Sequence, residues 1–509
     1  MKSIPKLATS ILLTVVLFID CKKENTNPQI PINKPPIANA GPDQVFAAPP
    51  ASIVLDGSAS TDPDGGGLTY QWSRISGPVS IWIANNNTQV TEIRSVNLGH
   101  QIEIGIYEFE LKVTDNNGQS ASDRVVITVN RKTIYVSTIN ELYSAVNDTT
   151  NAGALIILAQ GTYTLNAGFP NGGRLELQPN MELRGQPDHP ELVVIDESAL
   201  PTASFVLASA GRSGGIRIGS GTNTLRWLTI KGDSSSANPL SVIDTDLSSV
   251  ETHIEIFHVN IIGNGSSIGI DIRSRRTEQS GRIIEATLEN NDITGVITYL
   301  GPAIEIQNAN GVSGSFIKVN MKQNYLHGNK TGIGAFNNAA TATVNNSRIE
   351  ITSNADKIEG NGVGLYMGGG ISQVATASGN GNSTTANFYG SLIRYNNPVP
   401  LPPPLHPDVG ASYTPCGIYT FGGMSVTDGG YNKTSNNTLK LNFWDCDISN
   451  NNSPDINVYG AWCPPLATLA GTNNLVEIYL NGISANANDV TTPSVPIEPA
   501  GTNVVSIFR

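Results

Sequence analysis

Leu288-Glu289-Asn290-Asn291-Asp292-Ile293-Thr294-Gly295-Val296 is followed 33 residues later by Met321-Lys322-Gln323-Asn324-Tyr325-Leu326-His327-Gly328-Asn329. The two stretches share one plan: an apolar residue, an Ile or Leu five places on, and usually an Asn three beyond that. The plan returns as Leu225/Ile230/Asp233, Ile256/Ile261/Asn264, Phe388/Ile393/Asn396, Phe443/Ile448/Asn451 and Ile478/Ile483/Asn486, with a longer copy at Ile351/Ile358/Asn361. The central residues lie 31, 32, 33, 32, 35, 55 and 35 apart. A fixed period of this size marks a solenoid. Each period holds three short strand-like runs separated by bends, the last introduced by Gly269-Ile270, Ala303-Ile304, Gly332-Ile333, Gly362-Val363 or Gly417-Ile418. Three short strands per turn make a parallel β-helix.

Coils of such a helix stack about 4.8 Å apart, so equivalent residues lie above one another. Three places after the first apolar residue the copies read Asn291, Asn324, Asn354, Ser391, Cys446 and Asn481; a second series reads Asn264, Asn329, Asn361, Asn396, Asn451 and Asn486. Amide side chains stacked at bends satisfy turn backbone from coil to coil, so both series are expected to be structural, with Cys446 as a buried filler. The longest return holds Pro398, Pro400, Pro402-Pro403-Pro404 and Pro407, and Pro cannot join strand pairing, so residues 397–415 are expected to loop out.

Moving outward along the chain, residues 131–509 belong to this helix, with 131–200 supplying a cap and first coils. Leu142, Ala145 and Val146 sit at helical spacing, and Ala154 to Tyr163, Leu175-Glu176-Leu177, Met181 to Gly185 and Val193 to Asp196 read as strands. This series resembles the opening of right-handed parallel β-helices of the pectin-lyase type, in which a short helix covers the open end of the core. The chain lacks the Asn-Thr-Asp, Asp-Asp, Gly-His-Gly and Arg-Ile-Lys series of polygalacturonases and the Arg-x-Pro-x-x-Arg of the main pectate lyases.

Residues 36–130 alternate half-buried runs, such as Ser52-Ile53-Val54-Leu55 and Tyr107 to Val113, with Asp- and Gly-rich turns, which suits an all-β sandwich. Ala38 to Asp43, Leu55-Asp56-Gly57-Ser58, Asp62-Pro63-Asp64-Gly65, Tyr70-Gln71-Trp72 and Leu111 to Asp115 resemble the PKD family of immunoglobulin-like modules, with Gln71-Trp72-Ser73-Arg74 replacing that family's Trp-Asp-Phe-Gly-Asp-Gly. The resemblance implies a spacer or binding accessory. Asp62 and Asp64 read either as hydrogen-bonded turn residues or as a calcium loop.

Residues 1–20 form a targeting segment: Lys2 and Lys6 precede an apolar run from Ile11 to Ile19, too short to span a bilayer as a mature helix. Leu17-Phe18-Ile19-Asp20-Cys21 resembles a bacterial lipobox, which implies lipidation at Cys21 and an exported outer-membrane lipoprotein at the cell surface, tethered by residues 21–35. Asp20 stands where that pattern has a small residue. Cys416, Cys446 and Cys463 remain, an odd number, and a Cys416–Cys463 bridge stays open.

The net charge of −12 and the lack of a basic stripe argue against nucleic acid. Function must sit on outward positions. One strand series places Arg273, Gln307, Phe336, Tyr366, Phe421 and Tyr459 outward; another places Phe257, Glu289, Lys322, Thr352, Tyr389, Trp444 and Tyr479. The aromatics are either platforms for sugar rings or rings buried beneath return loops. Glu285, Lys318, Arg348 and Lys440 are expected to share a slot. Asp271, Arg273, Glu305 and Lys318 are the candidate catalytic set for a polysaccharide lyase or hydrolase, needing carboxylates and a base; ordinary surface ion pairing explains the same residues. The leading expectation is a monomeric surface protein that binds polysaccharide or cell-surface glycan along the helix flank. A polysaccharide-cleaving enzyme and a purely adhesive protein are the alternatives. No metal or cofactor is expected, calcium being the one ion the acidic positions would admit.

Overall fold

The computed structural model describes residues 32–96, 102–200, 214–232, 241–244, 251–265, 268–274, 281–297, 302–309, 311–339, 343–372, 379–396, 416–425, 435–451, 456–462, 473–481, 483, 490–491 and 504–508. The targeting segment with Cys21, the Pro-rich return, Cys463 and Asn486 lie outside these residues. Described residues within Met1–Phe46 and Pro50–Val129 make one compact unit, and those within Ala47–Pro49 and Asn130–Arg509 make another.

The first unit is a β-sandwich. One sheet orders the strands Gln44–Phe46, Ser120–Val129, Gly105–Thr114 and Thr69–Ser76; the other orders Ser52–Asp56, Val90–Ser95 and Ile81–Ile83. Alternation sends Tyr107, Phe109, Leu111 and Val113 inward against Trp72, Ile53 and Leu55. The Trp72 indole N–H donates to the Thr88 carbonyl at 3.1 Å, which removes the cost of burying it. Asp62 Oδ1 accepts from the Asp64 backbone N–H at 2.9 Å, so the loop closes as an Asx turn.

The second unit is a parallel β-helix, opened by an α-helix, Ile139–Asn147. Thr138 Oγ1 accepts from the Glu141 N–H at 3.2 Å while the Glu141 carboxylate accepts from the Thr138 N–H at 3.1 Å, a reciprocal cap. Leu142, Tyr143, Ala145 and Val146 turn into the core, as the helical spacing predicts. Behind the helix run three sheets of twelve, nine and ten parallel strands. A representative coil passes from Phe316–Lys322 in the twelve-stranded sheet to Tyr325–His327 in the nine-stranded sheet and Thr331–Ala339 in the ten-stranded sheet.

Inward stacking supplies the core. Ile230, Ile261, Ile293, Leu326, Ile358, Ile393 and Ile448 align in one column, all fully buried. Each such side chain contributes roughly 1.5–3 kcal/mol when buried. Phe388 and Phe443 stack inside with centroids 5.0 Å apart. At the strand entry Gly269, Gly332 and Gly364 take one slot, where a Cβ would overlap the carbonyl oxygen of the coil above. That close approach corrects the expected member Gly362-Val363 to Gly364-Leu365.

The bend asparagines form hydrogen-bonded ladders. Asn329 Nδ2 donates to Asn361 Oδ1 (3.1 Å), Asn361 to Asn396 (3.3 Å) and Asn396 to Asn451 (2.9 Å). In the other series Asn291 donates to Asn324 at 2.9 Å and Asn324 to Asp356 at 2.8 Å. Asp356 therefore replaces Asn354, because Ser353 and not Ile351 pairs with Met321 and Phe388. Leu480, not Ile478, pairs with Phe443, which moves Asn481 outward beside Trp444. Both corrections have one cause: alternation makes two-residue shifts invisible to the inside-outside pattern. Burial pushes the Asp356 carboxyl up to about 6, against hydrogen bonds from Ser353 and Asn324 that pull it down. Cys446 is buried, and burial raises its thiol. A third ladder, in which Asn382 Oδ1 accepts from the Ser347 N–H and Asn437 Nδ2 donates to Asn474 Oδ1, was not legible in the repeat plan.

Candidate functional site

The ten-stranded sheet carries the expected acidic and basic cluster. Asp271 pairs with Glu305 on adjacent coils, and Arg273 with Gln307. Arg273 Nε donates to Asp271 Oδ1 at 2.8 Å, and its Nη2 lies 2.9 Å from Glu305 Oε1. One guanidinium thus holds two carboxylates, and the three residues are only 3 % (Asp271), 8 % (Arg273) and 7 % (Glu305) exposed. Lys318 does not join them. It sits on the twelve-stranded sheet, half-exposed, with its Nζ 3.9 Å from Glu285. The four candidate catalytic residues are therefore split between two sheets, and the three that meet are closed off from water. A base for proton abstraction has to reach its substrate, and a carboxylate fixed to a buried arginine is an ion-pair partner first.

The same sheet corrects part of the aromatic expectation. Phe336 and Tyr366 are buried, 5.8 Å apart in an edge-to-face contact. Tyr366 aligns with Gly334 and with Tyr419, on which it stacks at 5.5 Å, so it leaves the Phe336 slot for the neighbouring one. Phe421 and Tyr459 take paired strand positions in line with Gly368, and their side chains lie outside the described residues. Phe336 and Tyr366 cannot serve as open platforms, because their outward faces meet protein.

The twelve-stranded sheet is different. Its outward residues alternate with buried ones from Glu251–Phe257 to Leu475–Asn481. Tyr389 and Trp444 align in one slot and stack at 4.6 Å with planes 7° apart; Tyr389 is 41 % exposed. On the next coil Tyr479 lies above Asn442 rather than above Trp444, and it stacks on Phe508 at 4.4 Å. The four rings form a stepped ridge over four coils. Each ring gives one face to its stacked neighbour, leaving edges and outer faces to solvent.

Beside the ridge runs a column of uncharged polar side chains: Thr287, Asn320, Thr352, Asn387 and Asn442. Asn442 Nδ2 donates to Asn387 Oδ1 at 2.8 Å. A second column reads Glu285, Lys318, Glu350, Thr385, Lys440 and Glu477, so Glu350 takes the place expected for Arg348. Phe508 was missed, although Val504-Val505-Ser506-Ile507-Phe508 repeats the alternation of Leu475-Val476-Glu477-Ile478-Tyr479. The polar column was missed because single Thr and Asn residues carry no signal until the register is known.

Comparison with known proteins identifies the first unit. Residues 40–129 match the family model for PKD domains of the KIAA0319-like type. The sandwich is a PKD domain. The human dyslexia-associated protein KIAA0319 is 32 % identical over 119 residues, covering 23 % of this chain and 10 % of that protein. Human low-density lipoprotein receptor-related protein 11 is 38 % identical over 97 residues, covering 19 % of this chain and 18 % of that one. The matches therefore span less than a fifth of those relatives. A solution structure of the PKD domain from KIAA 1837 protein is 30 % identical, covers 18 % of this chain and 84 % of its own, and has a TM-score of 0.16. The Family 28 exopolygalacturonase of Yersinia enterocolitica is 11 % identical with a TM-score of 0.19, covering 94 % of this chain and 99 % of its own. No helix among the described residues is long and apolar enough to cross a membrane.

Proposed function

We propose that this is an exported cell-surface protein that binds glycan along the outer face of its twelve-stranded sheet, with the PKD domain as spacer and Cys21 as the lipid-anchored residue. The carrying observation is the solvent-facing ridge of Tyr389, Trp444, Tyr479 and Phe508 beside the Thr/Asn column. Aromatic rings offer apolar surface to the C–H faces of sugars. Hydroxyl and amide groups both donate and accept, as sugar hydroxyls do. Coil spacing of about 4.8 Å presents these groups as a linear track, which suits an extended polymer.

A cleaving enzyme built on Asp271, Arg273, Glu305 and Lys318 has less support, since three of these are buried in one ion cluster and the fourth lies elsewhere. A glycan array with the full chain tests the proposal. Tyr389→Ala and Trp444→Ala are each expected to weaken binding by about ten-fold or more. Unchanged signals in both variants would remove the ridge as the binding surface.

A further inference from the structure

Resting on the glycan-binding reading, we infer that the ligand is a neutral polysaccharide, read by the ridge and its amide column without ionic contacts. A uronate or sulfated chain needs a cation to receive each acid group, supplied by Arg, Lys or calcium. The strands that carry the ridge, Ser383–Tyr389, Thr438–Trp444 and Leu475–Asn481, contain only two charged side chains, Lys440 and Glu477. These two face each other on neighbouring coils with Nζ 3.7 Å from the carboxylate. Lys440 Nζ also lies 4.6 Å from the centre of the Tyr479 ring, so this lysine is held by an acid and an aromatic at once.

The same closure continues along the face. Lys318 meets Glu285 at 3.9 Å, Lys322 meets Glu289 at 2.7 Å and Arg348 meets Glu350 at 3.4 Å. Every one of these cations already has a carboxylate of its own. No cluster of three or more His, Cys, Asp or Glu that would hold a metal occurs among the described residues. The chain carries a net charge of −12, which raises the cost of bringing a polyanion to the surface. What the face offers in quantity is neutral: Thr352, Thr385, Asn387, Thr438, Asn442 and Asn481 surround the rings. Ring hydroxyls can satisfy such groups, while a carboxylate placed there would be desolvated without a counter-charge.

Affinity electrophoresis and calorimetry on the full chain, with laminarin, galactomannan and xyloglucan against polygalacturonate and alginate, separate the outcomes. The expected result is binding to at least one neutral polymer. Its Kd should change less than about two-fold between roughly 0.05 and 0.5 M salt. Asn387→Asp, which keeps the oxygen that Asn442 donates to, is expected to leave that affinity for a neutral chain within about three-fold, and Trp444→Ala to lower it by about ten-fold or more. Binding to polygalacturonate or alginate with salt-sensitive affinity would overturn neutrality while leaving the glycan-binding reading in place. Binding to none of the five polymers, acidic or neutral, and no response on an array would overturn both.

Discussion

The twelve-stranded and ten-stranded sheets are built from the same inward Ile and Leu columns, yet their outward faces have opposite fates. On the twelve-stranded sheet burial alternates, and charged, polar and aromatic side chains meet water. On the ten-stranded sheet Ile268–Ser274 is buried throughout, and so are Asp271, Arg273, Glu305, Gln307, Phe336, Tyr366 and Tyr419. A charge on the first face is a solvated surface group; the same residue type on the second is a desolvated group that needs its partners. Similar pairs of residues therefore differ in what they contribute, which can be measured.

The sharpest contrast is between two cations. Arg273→Ala would leave Asp271 and Glu305 buried without their shared partner and is expected to cost about 3–5 kcal/mol. Lys318→Ala removes a half-exposed pair and is expected to cost under about 1 kcal/mol. Denaturant titrations of both variants read this directly, and equal losses would break the distinction between the faces. Two tyrosines provide the next contrast. Tyr366→Ala empties a buried position between Phe336 and Tyr419, with an expected loss of about 3 kcal/mol. Tyr389→Ala, on the open face, should lose no more than about 1 kcal/mol, most of it from the Trp444 stack. A thermal shift as large for Tyr389→Ala as for Tyr366→Ala would show that the ridge is a packing element.

The smallest effect is one of pH, from the one carboxylate in an asparagine ladder. Burial raises Asp356 from an ordinary 3.8 to about 6 in the folded protein. Between these values the folded state keeps a proton that the unfolded state has lost, so stability falls as pH rises through this window, by up to about 1.4 kcal/mol per unit. Asp356→Asn keeps an acceptor for the Asn324 amide and removes the titration. It is expected to flatten stability between about pH 4 and 6 and to raise it at neutral pH. An unchanged slope in pH-dependent unfolding would show that Asp356 is not its source.

Much of the fold was legible because it is repetitive. The Ile and Leu columns, the capping helix with Thr138 and Glu141, and the ladder from Asn329 to Asn451 all follow from local spacing. The failures are specific. Ile351 and Ile478 were aligned two residues away from Ser353 and Leu480, the residues the strands pair. A shift of two keeps every side chain on its own face, so periodicity has no means of detecting it. The slip misplaced Asn354, Asn481 and Tyr479, and a similar one misplaced Tyr366. Of the named aromatics, Tyr389 and Trp444 share a slot as expected, while Tyr479 belongs to the neighbouring column.

The sequence by itself determined the architecture: a PKD sandwich, a period near 33 residues and three strands per coil, with Ile, Leu and Asn directed inward. These depend on local alternation and on a repeat long enough to average out its exceptions. Only the tertiary structure decided which outward residues remain outward. Whether Tyr366 or Tyr389 meets water depends on what covers each sheet, and whether Lys318 meets Asp271 depends on which of three sheets each strand enters. Both are set by contacts between residues far apart in the chain, and no local pattern records them.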